Sequence, residues 1–369
     1  MEPALRQIAE RIRAAAADAT PLRIRGGGTK DFHGETPHGE VLSTTALTGI
    51  TSYEPSELVV TVRGGTPLDE LEAVLAEKGQ CLPFEPPHFG AAGAGTVGGM
   101  VAAGLSGPAR ASVGAVRDYV LGARLVNGRG EVLSFGGQVM KNVAGYDVSR
   151  VLAGSLGTLG VIAEVSLKVL PVAPAEATLE FACSQADALR LLNEWGGRPL
   201  PLNASCWFEY AGAGALYLRL RGAMAAVEAA CTHLGGERKP STRAAADWQA
   251  LRDQQLPWFD SADGPDALWR LSVPQTAPVL AIDGNAPLVE WHGGQRWYKA
   301  APDQAARIRG IAHAAGGHAT LFRKPASQAG GDVPRFDALS APIARIHRAL
   351  MHEFDPHRIF NRGRLFADE

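Results

Sequence analysis

Residues 86–104 read PPHFGAAGAGTVGGMVAAG, and this stretch decides the fold of the first half of the chain. Within it, Gly93 to Gly98 matches the pattern GxGxxG, in which glycines let a backbone loop approach a phosphate. That pattern marks a doubly wound dinucleotide fold only where a hydrophobic strand runs directly into the first glycine. Here the preceding residues PFEPPHF contain prolines that a central strand does not hold. The stretch therefore predicts a turn that enters a short helix of small residues.

The four residues Thr96 to Gly99 open that helix, and two interpretations of them remain. The free N–H groups at a helix start carry partial positive charge, which suits a phosphate group. Equally, a helix of glycine and alanine can simply pack closely against a sheet. The neighbouring loops favour the first interpretation.

Earlier in the chain lies another glycine loop, RGGGTK at 25–30, which directly follows the β-rich run LRIR; it is called the first glycine loop, and the loop at 93–99 the second. Three successive glycines can turn their N–H groups toward one anion, because no Cβ obstructs the approach. A flexible turn is the alternative for this loop taken alone. Two further segments, KNVAGYD at 141–147 and SLGTLGVI at 155–162, complete a set of loops in the same half of the chain. Together they favour a site for a phosphate-containing ligand.

Strand and helix patterns in the two halves predict an α+β protein rather than a doubly wound sheet. Before Pro171, short runs such as ELVVTV and EVLSF alternate with turns, and one helix is predicted from Pro67 to Gly79 with Thr66 as its N-cap. After a linker at 170–175, the order strand, helix, strand, strand, helix, strand is that of a ferredoxin-like unit. A later strand is expected to run from LVEWHGG straight into QRWYKA.

Composition and charge exclude several classes of protein. The chain has 369 residues, with 36 Lys and Arg against 38 Asp and Glu, and a formal net charge of −2, which argues against a nucleic-acid partner. No stretch is apolar over the ~18 residues that a transmembrane segment needs. The four cysteines form no close pair, so we expect neither an iron–sulfur cluster nor a structural zinc site from this chain. Its ten histidines show no metal-binding spacing, and no metal is predicted.

The order of these segments resembles the FAD-binding domain of the vanillyl-alcohol-oxidase flavoproteins, also called the PCMH type. The similarity runs from Leu22 to Pro171 and includes RGGGT, EPSELVVTVRGGTPLDELEAVL, the 86–104 stretch, GAVRDYVLGARLV, KNVAGYD and SLGTLGVI. The ending FDPHRIFNRGRLF is similar to the C-terminal return segment of that family. The segments are specific as a set, although each one is short.

The resemblance implies an α+β architecture with two parts. A two-lobed FAD-binding domain is expected at 1–172, with lobes at about 1–85 and 86–172. A small ferredoxin-like antiparallel cap domain is expected at 173–333. Residues 334–369 would form a return segment that packs on the FAD domain.

The resemblance also implies which residues hold FAD. Backbone amides of the two glycine loops would bind the pyrophosphate, the 141–147 segment would lie near the flavin, and the 157–162 segment would contact ribose or adenine. The chain's end would close over the isoalloxazine edge. The implied cofactor-binding residues are Arg25, Gly26, Gly27, Gly28, Thr29, Lys30, Thr96, Val97, Gly98, Gly99, Lys141, Asn142, Gly145, Tyr146, Asp147, Gly157, Thr158, Gly160, Ile162, Asn361 and Arg364.

The sequence departs from the family at two places that matter for chemistry. Thr29 stands where flavinylated relatives carry a histidine, and residues 104–110 hold no cysteine, so FAD is expected to bind non-covalently. The histidine-rich segment of the family's catalytic 2-hydroxy-acid dehydrogenases is absent, and the catalytic residues therefore stay unknown. The candidates are His292, as a base or a packing residue, and Arg296, as a carboxylate ligand or a surface ion-pair partner. Arg364 has the same two interpretations.

The implied function is that of an FAD-binding subunit of a multi-subunit glycolate (2-hydroxy acid) oxidase or dehydrogenase that passes electrons to partner subunits. Expected partners are a paralogous FAD-containing catalytic subunit and an iron–sulfur subunit, with a small 2-hydroxy acid as substrate. One alternative is a flavin-binding scaffold or electron-relay subunit without substrate chemistry. Another is a stand-alone FAD-dependent 2-hydroxy-acid dehydrogenase. The expected location is the cytoplasm, with contact to the inner membrane only through partners.

Overall fold

The structure, a computed structural model, describes residues 2–137, 147–260, 266–282, 286–325 and 333–366. Its contacts divide the chain into two units. Unit 1 consists of residues 1–105, 115–171 and 338–369, and unit 2 consists of residues 106–114 and 172–337. The short stretch 106–114 therefore groups with unit 2, although the chain on both sides of it belongs to unit 1.

The first 171 residues form short strands interspersed with helices. In chain order they are α1 (Pro3–Ala17), β1 (Leu22–Arg25), β2 (Glu40–Ser43), β3 (Ile50–Glu54), β4 (Val59–Arg63), α2 (Leu68–Ala76), β5 (Gln80–Cys81), α3 (Val97–Ala103), α4 (Arg110–Val113), α5 (Val116–Tyr119), β6 (Val120–Val126), β7 (Val132–Gly136), α6 (Val148–Val151), β8 (Val161–Lys168) and β9 (Leu170–Pro171).

A five-stranded antiparallel sheet in the order β3-β4-β8-β6-β7 is the framework of unit 1. Alternating valines build its core, because successive side chains of a strand point to opposite faces. Val60 and Val62 of β4 join the buried cluster that includes Leu71 and Leu75 of α2. A second cluster packs α1 against the start of β8. The sheet takes strands from both sides of residue 85.

A smaller parallel pair, β1 and β2, positions the first glycine loop. The end of the chain runs beside this pair, since the N–H of Leu22 donates to the carbonyl of Ile359 at 2.6 Å and the N–H of Asn361 donates to the carbonyl of Leu22 at 2.9 Å. Residues almost 340 positions apart in sequence are therefore fixed next to each other where β1 begins.

Unit 2 is built on one long antiparallel sheet. The remaining elements of the chain are β10 (Ala175–Ala182), α7 (Gln185–Gly196), β11 (Leu202–Tyr210), β12 (Ala213–Gly222), α8 (Met224–Leu234), β13 (Glu237–Arg238), α9 (Ser241–Arg252), β14 (Ala267–Ser272), β15 (Leu288–Glu290), β16 (Gln295–Ala300), α10 (Ala305–Ala314), β17 (His318–Arg323) and, in unit 1, α11 (Ala341–Phe354). The eight strands lie in the order β13-β10-β12-β11-β15-β16-β14-β17.

The first four strands of this sheet have the order of a ferredoxin-like unit, with the fourth strand of the chain segment beside the first. Helices α7 and α8 bury their apolar faces against them, through Leu189, Leu192 and Val227. The predicted α+β class with antiparallel sheets is confirmed.

The prediction of one strand through LVEWHGGQRWYKA is wrong. The segment folds back as an antiparallel hairpin in which Glu290 pairs with Gln295. Trp291, His292 and Gly293 make the turn with φ values of +53°, +55° and +98°, a left-handed conformation that ends a strand. The sequence did not predict β2, β3, α4, α5, α6, β13, α9 and β17. All but α9 are at most six residues long, and α9 buries only isolated residues.

Candidate functional site

The loop after β1 holds three successive backbone amides without an acceptor. The N–H groups of Gly27, Gly28 and Thr29 make no hydrogen bond within the part of the chain that the structure describes. Gly28 has a φ of +74°, a conformation that residues with side chains rarely adopt. Successive N–H groups on a curved backbone form a cradle for an anion.

The second glycine loop closes tightly over the first. A Cβ on Gly27 would lie 1.4 Å from the carbonyl oxygen of Ala94, and a Cβ on Gly26 would lie 2.3 Å from Thr96 Oγ1. Both distances are far below van der Waals contact, so these two positions require glycine. Thr96 is the N-cap of α3, and its Oγ1 accepts the N–H of Gly99 at 3.2 Å. The two loops predicted from the sequence are therefore neighbours.

A cavity of about 90 Å³ lies between these loops and the C-terminal segment. Its lining carries four cations, Arg23, Arg25, Lys30 and Arg364, and one carboxylate, Asp31. Arg25 Nε pairs with Asp31 Oδ2 at 2.8 Å. The buried Nε of Arg23 has no acceptor among the described residues. An anion in the cavity would match this charge and accept from the free amides of the loop.

The volume is well below that of a site enclosing a whole drug-sized ligand, so the cavity has room for a small charged group only. Six of its lining residues are absent from the sequence prediction: Arg23, Ile24, Asp31, Ala102, Ala103 and Leu156. Each lies one to four residues from a predicted residue, and α3 supplies two of them, Ala102 and Ala103, which have small side chains. These six residues could have been found from their position close to a motif, but not from their residue types.

Asn361 ties three segments together around the cavity. Its Oδ1 accepts the N–H of Ile24 at 2.8 Å, and its Nδ2 donates to the carbonyl of Leu156 at 2.6 Å. Arg364 donates from Nη2 to the carbonyl of Lys30 at 3.0 Å. Both residues were predicted from the C-terminal motif, and both line the cavity beside the glycine loop.

Other predicted residues support the cavity from behind. The N–H of Gly98 donates to the carbonyl of Gly64 at 2.7 Å, and a Cβ at Gly98 would lie 2.8 Å from that oxygen. Val97 is fully buried in the core of unit 1. These two residues therefore hold α3 against the sheet. Close packing was one of the two interpretations of this segment, the other being phosphate binding.

The 157–162 segment forms a turn that enters β8. Gly157 and Gly160 have φ values of +76° and +139°. Thr158 Oγ1 donates to the carbonyl of Ser155 at 2.8 Å, and Ile162 lies in the core. None of these four predicted residues lines the cavity.

The 141–147 segment is described only at its last residue. Asp147 is the N-cap of α6, accepts from Ser149 Oγ at 2.7 Å and pairs with Arg150. The predicted residues Lys141, Asn142, Gly145 and Tyr146 lie outside the described residues.

A histidine between two carboxylates holds the loop that carries Ala94. His88 lies between two carboxylates of α2, with Nδ1 2.9 Å from Asp69 Oδ1 and Nε2 3.0 Å from Glu72 Oε2. The other oxygen of Asp69 accepts the N–H of Gly93 at 2.7 Å. Helix α2 thus fixes the second glycine loop at two points.

The prediction of Thr66 as the N-cap of this helix is wrong. Helix α2 begins at Leu68, directly after Pro67. Thr66 Oγ1 instead accepts the N–H of Gly49 at 2.9 Å, so the side chain joins two turns of unit 1.

In unit 2, His292 occupies the turn between β15 and β16. Its Nδ1 lies 3.1 Å from Ser205 Oγ, which also accepts its N–H, and its Nε2 lies 3.0 Å from Ser112 Oγ. Burial lowers the pKa of His292 to about 4. The imidazole is therefore neutral at pH 7, and both of its nitrogens are engaged.

Arg296 is fully buried on β16. Its guanidinium donates to the carbonyls of Gly293 at 3.1 Å, of Ala277 at 2.6 Å and of Pro278. The interpretation as a surface ion-pair partner is therefore wrong. Arg296 holds the residue 277–278 segment onto the β15–β16 hairpin, and its donors are directed at the backbone.

Comparison with known proteins agrees with this geometry. Residues 5–136 match the family model described as an FAD binding domain. The chain is 45% identical over 359 residues to the glycolate oxidase subunit GlcE of Escherichia coli (strain K12), covering 97% of this chain and 96% of that protein. The chain belongs to the GlcE family of FAD-linked oxidoreductases. It is thus a member of the PCMH-type flavoproteins, as its motifs indicated.

Other relatives match only about half of the chain. The glycolate oxidase subunit GlcD of Bacillus subtilis (strain 168) is 34% identical over 171 residues, 46% of this chain and 36% of its own length. The D-lactate dehydrogenase of Archaeoglobus fulgidus is 35% identical over 162 residues, 43% of this chain and 35% of its own length. Among solved structures, an alkyldihydroxyacetonephosphate synthase has the same fold, with a TM-score of 0.64 at 16% identity over 96% of this chain and 73% of its own.

One finding concerns membranes. In the described residues, none of the helices has both the length and the apolar character needed to cross a bilayer.

Proposed function

We propose that this chain is the FAD-binding subunit of a multi-subunit glycolate oxidase or dehydrogenase and that its FAD is held non-covalently. The observation that carries the proposal is the cationic cavity of unit 1, whose lining includes residues 27–29 with their free amides and Arg23, whose Nε has no acceptor among the described residues. A pyrophosphate group supplies the oxygen acceptors that these donors lack.

The residues of unit 1 have separate tasks in this proposal. The amides of Gly27 and Gly28 bind the pyrophosphate directly, and Arg23 and Lys30 balance its charge. Asn361 fixes the distance between β1 and the 152–157 loop, so that the cradle is formed before the cofactor arrives. FAD, when bound, supplies the acceptor for two electrons and a proton from an alcohol substrate.

Non-covalent binding is supported by the residue types at two places in the chain. Flavin attachment needs a nucleophilic side chain such as histidine, cysteine or tyrosine. Thr29 stands where flavinylated relatives carry a histidine, and residues 104–110 hold no cysteine, which supports a flavin that is not attached at these two places. Release of the whole yellow colour on acid precipitation, with free FAD in the supernatant, is the expected result.

Electron transfer to partner subunits is proposed because the four cysteines of this chain form no close pair that could hold an iron–sulfur cluster. The four cysteines are free thiols, and Cys206 is buried with its pKa raised well above the usual value by burial. An iron–sulfur cluster would therefore be carried by a separate subunit. We further propose that a paralogous FAD-containing subunit carries substrate oxidation; the similarity of this chain to a glycolate oxidase subunit named GlcD, over 46% of this chain, supports the existence of such a paralogue.

A stand-alone 2-hydroxy-acid dehydrogenase that uses His292 and Arg296 is less well supported. The imidazole of His292 is held between two serine hydroxyls, and the guanidinium of Arg296 between three carbonyls. A scaffold or electron-relay role without substrate chemistry remains the second candidate, because it needs only the FAD site.

The test is to purify the chain alone, record its visible spectrum, and add glycolate or D-lactate without oxygen. We expect a yellow protein that stays oxidised until the partner subunits are added. Bleaching of the isolated chain by substrate would contradict the scaffold role and support the stand-alone enzyme. A colourless protein that FAD does not reconstitute would refute the proposal.

A further inference from the structure

Helix α11 has an apolar stripe that is covered at one end only. The stripe consists of Ile343, Ile346, Leu350 and Phe354, whose spacing places them on one face of the helix. Phe354 is buried, and Leu350 packs against the same core cluster of unit 1. Ile343 and Ile346, in contrast, are 44% and 52% exposed. The described part of unit 1 therefore leaves the N-terminal part of this stripe uncovered.

A cavity of about 470 Å³ lies beside this helix and is lined by residues of unit 1. The ring of Phe366 packs edge-on against His347, with 5.7 Å between the ring centres. A cavity of this volume can accept a bulky side chain of another protein, as the central pockets of protein interfaces do. The apolar residues with large side chains in its lining are Leu339, Met351, Phe360 and Phe366.

Positive charge is concentrated on the same surface. Residues 341–364 contain five arginines, one glutamate and one aspartate, although the whole chain has a net charge of −2. Arg348, Arg358 and Arg362 line the cavity. The carboxylate in that lining, Asp355, is 3% exposed and accepts the N–H of Phe360 at 2.7 Å. The surface beside α11 is therefore cationic around an apolar centre.

Two of these five arginines have no acidic partner. The guanidinium groups of Arg345 and Arg358 form no hydrogen bond or ion pair with any residue that the structure describes. On α7 of unit 2, in contrast, the exposed Arg190 pairs with Asp187 and Glu194 of its own helix. Arginine beside apolar surface is typical of protein interfaces, where arginine and aromatic residues are enriched.

The position of this cavity favours one of the proposed partners. Phe360 and Arg362 line the cavity beside α11, whereas Asn361 and Arg364 of the same segment line the glycine cavity. A protein that is seated on α11 would therefore contact the backbone segment that also borders the proposed pyrophosphate site. A subunit that accepts electrons has to approach the cofactor closely, which favours the iron–sulfur subunit as the occupant.

We propose that the α11 surface, defined by Ile343, Arg345, Ile346 and the cavity beside them, docks the electron-accepting iron–sulfur subunit. This inference rests on the proposed function. The partner surface that fits has apolar side chains at its centre, which cover the two isoleucines and enter the cavity, and carboxylates around them, which pair with the arginines. Complementary charge of this kind accelerates association and selects the partner.

The test is the affinity of the full-length, FAD-loaded chain for the purified iron–sulfur subunit of its complex, measured by calorimetry. The double variant Ile343→Ser/Ile346→Ser should weaken binding roughly 10- to 100-fold, because the apolar contact is lost. Arg345→Glu/Arg358→Glu should weaken binding at least roughly 10-fold and should reduce its dependence on salt. The matched control is Met224→Ser on α8 of unit 2, where the methionine is 66% exposed, and this variant should bind like the wild type.

Both double variants should keep the fold and the flavin content of the wild type, because their side chains are exposed and line no part of the glycine cavity. Their Tm should change by less than roughly 2 °C. A larger decrease for the isoleucine variant would overturn the inference, since it would show that another part of this chain covers the stripe. A wild-type chain that binds no FAD would refute the proposed function, while its affinity for the iron–sulfur subunit would still report on α11.

Other occupants of the α11 surface would give different results, and each would overturn the inference. Self-association of the isolated chain that is lost in the isoleucine variant, measured by light scattering, would assign the surface to a second copy. Weakened binding to the paralogous flavoprotein subunit alone would assign it to that subunit. Equal affinity of the wild type and both double variants for the iron–sulfur subunit would show that this subunit binds elsewhere. Absence of binding by the FAD-loaded wild type would overturn the inference while leaving the FAD site intact.

Discussion

The glycine cavity of unit 1 and the β14–β16 region of unit 2 are both cationic, but they are built differently. In the cavity, the lining includes residues 27–29, whose backbone amides make no hydrogen bond in the described part of the chain, and Gly26 and Gly27 are required because a Cβ would collide with the opposite loop. In the β14–β16 region, the positive charge is carried by long arginine side chains, and the backbone only determines on which strand each of them stands.

This difference determines how each region responds to change. A backbone site is lost when one Cβ is added, since no side-chain rotation relieves the collision. In a region built from side chains, each residue can be changed separately. Arg270 and Arg296 stand on adjacent strands, and of the two only Arg296 donates to backbone carbonyls among the described residues. The following predictions test that contrast, from the largest expected effect to the smallest.

The largest effect is expected for Gly27→Ala. The new Cβ would overlap the carbonyl oxygen of Ala94, and the two loops cannot close around the pyrophosphate. We expect complete loss of bound flavin, measured from the visible spectrum of the purified protein. The matched control is Gly95→Ala in the opposite loop, where the nearest atoms lie 4.0 Å from the added Cβ. Full flavin content in Gly27→Ala would show that the loops separate easily and would remove the contrast.

A large loss of stability is expected for Arg296→Met. Three buried carbonyls lose charged donors, which costs about 3–5 kcal/mol in the free energy of unfolding. Urea unfolding monitored by tryptophan fluorescence measures the loss. The same substitution at Arg270 is the control and should not reduce stability. If both variants lose equal stability, the two arginines have the same role and the contrast between them is wrong.

The third prediction concerns pH. Burial lowers the pKa of His292 to about 4, below the value of about 6.5 in an unfolded chain. The unfolded state therefore takes up a proton first as the pH falls. The contribution of His292 to the free energy of unfolding is therefore fully present above pH 6.5. It decreases as the pH falls from 6.5 to 4, by at most about 3 kcal/mol.

The control for this pH effect is His292→Asn, since asparagine tolerates the left-handed conformation at φ +55°. Stability of the two proteins is compared at each pH by urea unfolding. His318, whose pKa is also lowered, first by burial, contributes to both proteins and cancels in the difference. Identical pH profiles for both proteins would mean that His292 is solvated in solution.

The contrast also explains what could be predicted from the sequence. The amide cradle is encoded in contiguous glycines at 26–28 and in the 93–99 loop, and so a motif reveals it. Asn361 and Arg364 were also predicted, since they belong to a short C-terminal motif that the family shares.

The different surroundings of Arg270 and Arg296 could not be predicted, because they depend on which hydrogen-bond acceptors the folded chain brings near each guanidinium group. In sequence, Arg270 and Arg296 are both arginines within aromatic strands, and the latter was the candidate. Arg296 has one acceptor in the hairpin turn, the carbonyl of Gly293, and two in the 277–278 segment. That turn was itself missed, since left-handed tryptophan and histidine residues leave no sequence signature comparable to a glycine.

The smallest effect is expected for Thr96→Ala, which tests whether a side chain contributes anything to the backbone site. Thr96 Oγ1 caps α3 by accepting the N–H of Gly99, and loss of such a cap costs about 1 kcal/mol. Because the amides of residues 27–29 are unaffected, flavin affinity should fall by less than roughly 10-fold, as measured by fluorescence of released FAD. Thr96→Ser, which keeps the oxygen, should restore the wild-type value. A loss of flavin as complete as in Gly27→Ala would mean that the hydroxyl, rather than the amides, binds the pyrophosphate.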